Sequence, residues 1–180
     1  MDEDRVFIQV TIPFLDFTFF EPNAPPTEER IKCVGELIDF GYNVAVRIDP
    51  IIPRYGIIPG QSCEEVEALV ERFSKRALKN VIAKCLRLVA ITAKNWPELF
   101  YGLRPFYQLY GSWTGNCYEL NENVKQQLHT PIYNACLKHG ILYSTCLDKV
   151  NFSNATRCDR CGSFILCMIN THFVQCAKNL

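Results

Sequence analysis

Two sets of residues in this chain have the types and spacing that chemistry requires. The first lies in the stretch from Tyr42 to Pro53. Val44, Val46 and Ile48 alternate with Ala45, Arg47 and Asp49, the pattern of a strand with one apolar and one polar face. The run Val6 to Ile12 repeats it: Val6, Ile8, Val10 and Ile12 share one face, Gln9 and Thr11 the other. An apolar face suits a covering helix. Gln9, Thr11, Arg47 and Asp49 on the opposite face suit an enclosed polar site at the C-terminal ends of the strands, where α/β sheets and barrels build their sites. The second set is sulfur. Cys158-Asp-Arg-Cys161, with Cys146 before it and Cys167 or Cys176 after it, can supply four thiolates to zinc or to an auxiliary iron–sulfur centre. A redox or free-thiol role and plain structural cysteines are the alternatives, because a lone Cys-x2-Cys lacks a second close pair.

The remaining cysteines, Cys33, Cys63, Cys85, Cys117 and Cys136, fall inside helix, strand or packed-loop patterns and read as core thiols. His129 and His139 are ten residues apart on one predicted helix, about 1000° of rotation, and do not share a face. His139 near a helix C-terminus reads as a dipole contact. Residues 96–113 are dense in aromatic rings, with Lys94 and Arg104 close by; core, lid and a stacking surface for nucleic-acid bases all fit that composition. A nucleophile elbow and a phosphate-binding glycine loop are both missing from the sequence.

The elements that must position these groups follow in order. After β-type residues 6–12, Pro13 stops the strand and 21–26 is a proline-rich loop. Thr27 is a candidate N-cap for a helix carrying Ile31, Val34, Leu37 and Ile38, closed by Gly41. The 44–49 strand follows, with Pro50 and Pro53 as its stop. Ser62 and Glu65 form a capping box for a second helix with Val66, Leu69, Val70 and Phe73 inward. Val81 to Val89 is a third strand candidate. A helix to about Lys138 starts at Asn121 or Asn123 and contains Pro131; Ile141 to Cys146 is a fourth strand. Strand, helix, strand repeated gives parallel neighbours.

The totals set outer limits. With 180 residues the chain has room for one domain with a core. Equal numbers of acidic and basic residues, 19 each, argue against a strong non-specific hold on nucleic acid. No apolar run approaches the roughly 20 residues of a membrane span, and the acidic start is unlike a signal peptide. The expectation is a cytoplasmic protein without a membrane partner, whose ten cysteines are thiols or ligands rather than disulfides.

Residues 10–16, the loop Glu21-Pro-Asn-Ala-Pro-Pro-Thr-Glu-Glu-Arg30, Gly41 and the strand running into Pro50-Ile-Ile-Pro53 together resemble the second half of the radical S-adenosylmethionine (radical SAM) barrel. The branch they resemble is that of spore photoproduct lyase and the DNA repair photolyase-like proteins. Val81 to Leu88, the strand Gly140 to Cys146, Asn154 and Cys158-Asp159 support the resemblance. It implies an α/β partial (β/α) barrel over 1–147 with a Cys-rich C-terminal extension over 148–180. It also implies a lyase-like enzyme that cleaves S-adenosylmethionine, using an electron from a [4Fe-4S] cluster, to begin radical chemistry on a substrate such as damaged nucleic acid. In the resemblance, Gln9 or Thr11 meets ribose hydroxyls and Arg47 the methionine carboxylate, while Asp49 occupies a matching inward position. An internal Arg47–Asp49 ion pair is the other reading. The Cys-x3-Cys-x2-Cys loop that would bind the cluster does not occur in the sequence; the nearest spacing, Asn154-x3-Cys158-x2-Cys161, has Asn in the first place. The expectation is therefore a C-terminal portion: a truncated gene, one piece of a split enzyme completed by a separate N-terminal half-barrel, or a decayed copy. A non-catalytic zinc-binding or protein-interaction module is the alternative.

Overall fold

The computed structural model describes residues 7–16 and 20–152. The chain runs β1 (Phe7–Thr11), α1 (Thr27–Asp39), β2 (Asn43–Ile51), α2 (Cys63–Ser74), β3 (Asn80–Cys85) and β4 (Leu88–Val89). It continues through α3 (Ala90–Asn95), α4 (Pro97–Tyr110), β5 (Gly111–Trp113), β6 (Cys117–Leu120), α5 (Glu122–Lys138) and β7 (Leu142–Thr145).

β1, β2, β3 and β7 form a parallel sheet in that order. Alternation decides its two faces. Ile12, Val44, Val46, Ile48, Val81 and Ala83 point to one side and meet Ile31 and Val34 of α1, Leu69 and Phe73 of α2, and Ile132 and Cys136 of α5 in one buried cluster. All three helices thus cover the same face. Burying a side chain such as Leu69 or Phe73 there contributes about 1.5–3 kcal/mol. The opposite face carries Gln9, Ala45, Arg47, Ile82 and Ser144, in mutual register across the strands.

α2 starts as its sequence requires. Glu65 N–H donates to Ser62 Oγ at 3.1 Å and Ser62 N–H to Glu65 Oε2 at 2.9 Å. Removing this cap with Ser62→Ala is expected to lower stability by about 1 kcal/mol, read as a shift in the urea midpoint with unchanged slope. α1 differs from expectation. Thr27 is its first residue rather than its N-cap, because its hydroxyl is spent on Phe14 O at 3.1 Å; Pro26 holds the cap position. Gly41, at φ 87°, closes α1 in the left-handed conformation that glycine tolerates.

Pro50 does not stop β2. The strand continues to Ile51 through a register shift between Ile48 and Ile51, where the missing proline donor falls in the irregularity. The third strand candidate divides: β3 stays in the parallel sheet, and β4 enters a small antiparallel sheet ordered β4-β6-β5. That sheet and α4 bury a second cluster of Leu88, Leu99, Leu103, Tyr107 and Leu120 with Phe14, Ile52 and Ile58. The last three follow the C-terminal ends of β1 and β2, so this cluster sits at that end of the parallel sheet. The parallel sheet is open among the described residues. The fold is mixed α/β with four parallel strands, and the described residues form no closed barrel.

Candidate functional site

The sheet face away from the helices brings three of the four inward residues together. Arg47 Nη1 donates to Gln9 Oε1 at 2.8 Å, and Nη2 to Asp49 Oδ2 at 2.6 Å. Gln9 reaches Arg47 because its direct partner across the strands is the small Ala45. Burial alone would lower the Arg47 pKa, but hydrogen bonds to Asp49 and Cys146 outweigh it and hold the guanidinium more firmly charged than usual. Asp49 is the most open of the three, with 26% of its side chain exposed against 10% for Arg47. Thr11 is exposed and stands apart from them. Its carbonyl accepts from Arg30 Nη1 at 3.0 Å, and the same nitrogen pairs with Glu21 at 2.7 Å. The Glu21–Arg30 loop is thereby tied to the end of β1, beside an open groove of about 540 Å³ lined by Asp16 and residues of that loop. Gln61 was not singled out in the sequence, yet it clasps both strand ends. Its amide donates to Pro13 O and Pro50 O at 3.2 and 3.0 Å, and its oxygen accepts from Ile52 N–H at 2.7 Å.

A second polar group lies on the helix-covered side. Asp148 Oδ2 accepts from the Cys85 amide at 2.6 Å and from His129 Nε2 at 3.0 Å, and Oδ1 lies 3.2 Å from Lys125 Nζ. Lys125 is also 3.4 Å from Glu119, which pairs with Arg87 at 3.2 Å. His129 Nδ1 meets Tyr143 Oη at 2.5 Å. Because a carboxylate only accepts, Nε2 carries a proton, and in the neutral ring Nδ1 then takes the Tyr143 hydroxyl. Burial would raise the Asp148 carboxyl, but His129, the Cys85 amide and Lys125 hold it below its ordinary value. Burial, then Asp148, pushes the Cys85 thiol well up. Burial also raises Tyr143, keeping it a donor. Cys85 and His129 are 2% and 0% exposed, so this is not a nucleophilic Cys–His–Asp arrangement: the thiol is protonated and closed to substrate.

The expected metal ligands fare differently. Cys158, Cys161 and Cys167 lie outside the described residues. Cys146 packs with Ala45 and Ile82 on the Arg47 face. Among the described residues the one group of three metal-ligating side chains is Cys85, His129 and Asp148, which does not include Cys146. Its members come from β3, α5 and the segment after β7. The fold continues past the boundary placed after 147, since Asp148 is anchored in it and Phe152 packs on Tyr133 at 4.5 Å between ring centroids. His139 caps α5 and lies 2.9 Å from Glu67, a specific partner beyond the helix dipole.

Compared with known protein families, curated proteins and solved structures, this chain matches none. No helix among the described residues is long and apolar enough to cross a membrane.

Proposed function

We propose that this chain forms one wall of an S-adenosylmethionine pocket, as the C-terminal part of a radical SAM barrel of the DNA repair photolyase-like kind. The observation that carries the reading is the Gln9–Arg47–Asp49 chain of hydrogen bonds on the face of a parallel sheet that its helices leave to other contacts. Helices on a single side, with polar groups on the other near the C-terminal strand ends, are what a barrel wall requires. A partial barrel completed by a separate half-barrel accounts for the open sheet.

The donor set fits the ligand in a particular way. Both terminal nitrogens of Arg47 are engaged, so its part is to orient Gln9 and Asp49. Asp49, the most open, accepts from ribose hydroxyls or the α-ammonium group. Lys84 alternates onto the same face from β3 and offers a cation for the carboxylate. Bound S-adenosylmethionine would supply a 5′-deoxyadenosyl radical after taking an electron from a [4Fe-4S] cluster. The motif for that cluster is not among the 180 residues, so this chain's share is binding and orientation. Trp96, Tyr101 and Trp113 are each exposed, with Lys94 and Arg104 near them in sequence, and are the rings on which bases of a nucleic-acid substrate would stack.

Titration calorimetry of the full chain with S-adenosylmethionine tests the reading. One binding event per chain, weakened at least about tenfold by Asp49→Asn, is the expected result, corresponding to about 1.4 kcal/mol. No heat with the unaltered chain, or equal binding by the Asp49→Asn variant, overturns it.

A further inference from the structure

We propose that Cys85, His129 and Asp148 bind a divalent transition-metal ion, zinc by preference, in the core between the parallel sheet and α5. One donor atom from each lies within 4.8 Å of the other two. Tetrahedral zinc, with bonds of roughly 2.0–2.3 Å, holds its ligand atoms about 3.3–3.6 Å apart. The His129–Asp148 separation of 3.0 Å is already close to that, and Cys85 needs a movement of about an ångström at most to join them. Thiolate, imidazole and carboxylate together are a borderline-soft set, which favours zinc over magnesium or calcium.

The surroundings supply what a metal site needs beyond its ligands. Tyr143 sits 2.5 Å from His129 Nδ1, the position from which an outer partner fixes the ring of a metal-bound histidine. Without metal, Nε2–H faces Asp148. On binding, the ring proton moves to Nδ1, the Tyr143 hydroxyl turns from donor to acceptor, and Nε2 offers its lone pair to the ion. The Cys85 thiol loses its proton to solvent, so the event releases one proton per ion. Lys125 is the competing cation. It already lies 3.4 Å from Glu119, and turning fully to that carboxylate frees Asp148 Oδ1, giving the site a fourth donor atom and its second oxygen. The site lies on the helix-covered face of the sheet and Arg47 on the other, so it stands apart from the S-adenosylmethionine reading.

The test is zinc titration of chelator-treated full-length chain against a chromophoric competitor, repeated with cobalt to read thiolate charge-transfer absorption. The reference is the variant Cys158→Ser/Cys161→Ser, which removes the other thiol pair. It is expected to keep one zinc per chain and to gain thermal stability with zinc. Adding Cys85→Ser should abolish both and the cobalt–thiolate band, while circular dichroism without metal stays unchanged. Tyr143→Phe in the same reference should weaken zinc about 10–100-fold and keep the cobalt band. Zinc lost from the reference variant, or retained after Cys85→Ser, overturns the proposal.

Discussion

Asp148→Ala is expected to cost about 3–5 kcal/mol of folding stability, the range for removing one partner of a buried charged pair. The carboxylate accepts from a main-chain amide on β3 and from a histidine on α5, and faces the Lys125 ammonium. The three differ in what else is near them. Lys125 retains Glu119 at 3.4 Å, so part of its charge stays compensated. Among the described residues the hydrogen bond of the Cys85 amide and that of His129 Nε2 go to Asp148, and an orphaned buried donor costs about 1–3 kcal/mol. Asp148→Asn should lose less. Its amide oxygen still accepts, but its NH2 group is turned against Lys125 or His129, both donors. Urea unfolding followed by tryptophan fluorescence reads both variants. A loss under about 1 kcal/mol for the alanine variant would place Asp148 among ordinary surface positions and remove it as the anchor of the segment after β7.

How much of this was legible in the sequence depended on how far apart the cooperating residues are. β1 and β2 were readable because five to nine alternating residues carry their own signal. The Ser62–Glu65 cap is complete within four residues and formed as read; of the two candidates Asn121 and Asn123 for the later helix, Asn121 is the cap, again within four residues. The small antiparallel sheet was not readable. Its strands run two to four residues, too short to alternate, and aromatic density hid them. The Gln9, Arg47 and Asp49 grouping followed from strand parity. Thr11 did not join it, because the end of β1 is taken up by the Arg30 contact. Cys85, His129 and Asp148 left no local trace. Their contacts span 63 and 19 residues, and Asp148 reads as the first residue of a tail. The one available hint was a histidine on the buried side of a predicted helix, which apolar neighbours alone cannot satisfy.

Arg47→Met is expected to destabilise the protein by about 2–4 kcal/mol, less than a fully enclosed pair would lose, because Asp49 can turn its carboxylate to water. The main loss is the buried hydrogen bond from Arg47 Nη1 to Gln9 Oε1. Gln9→Leu added to Arg47→Met should therefore recover most of that loss, giving a double-mutant cycle with a coupling of about 1–3 kcal/mol. The recovery has a functional meaning. If an apolar pair holds the sheet as well as the polar one does, the polar group is not needed for stability, which leaves its hydrogen-bonding groups for a ligand. The double variant should then unfold at nearly the denaturant concentration of the unaltered chain, yet give no heat with S-adenosylmethionine. A double variant that stays as unstable as Arg47→Met would show instead that the Gln9–Arg47–Asp49 chain is structural, a hydrogen-bonded seam joining β1 to β2.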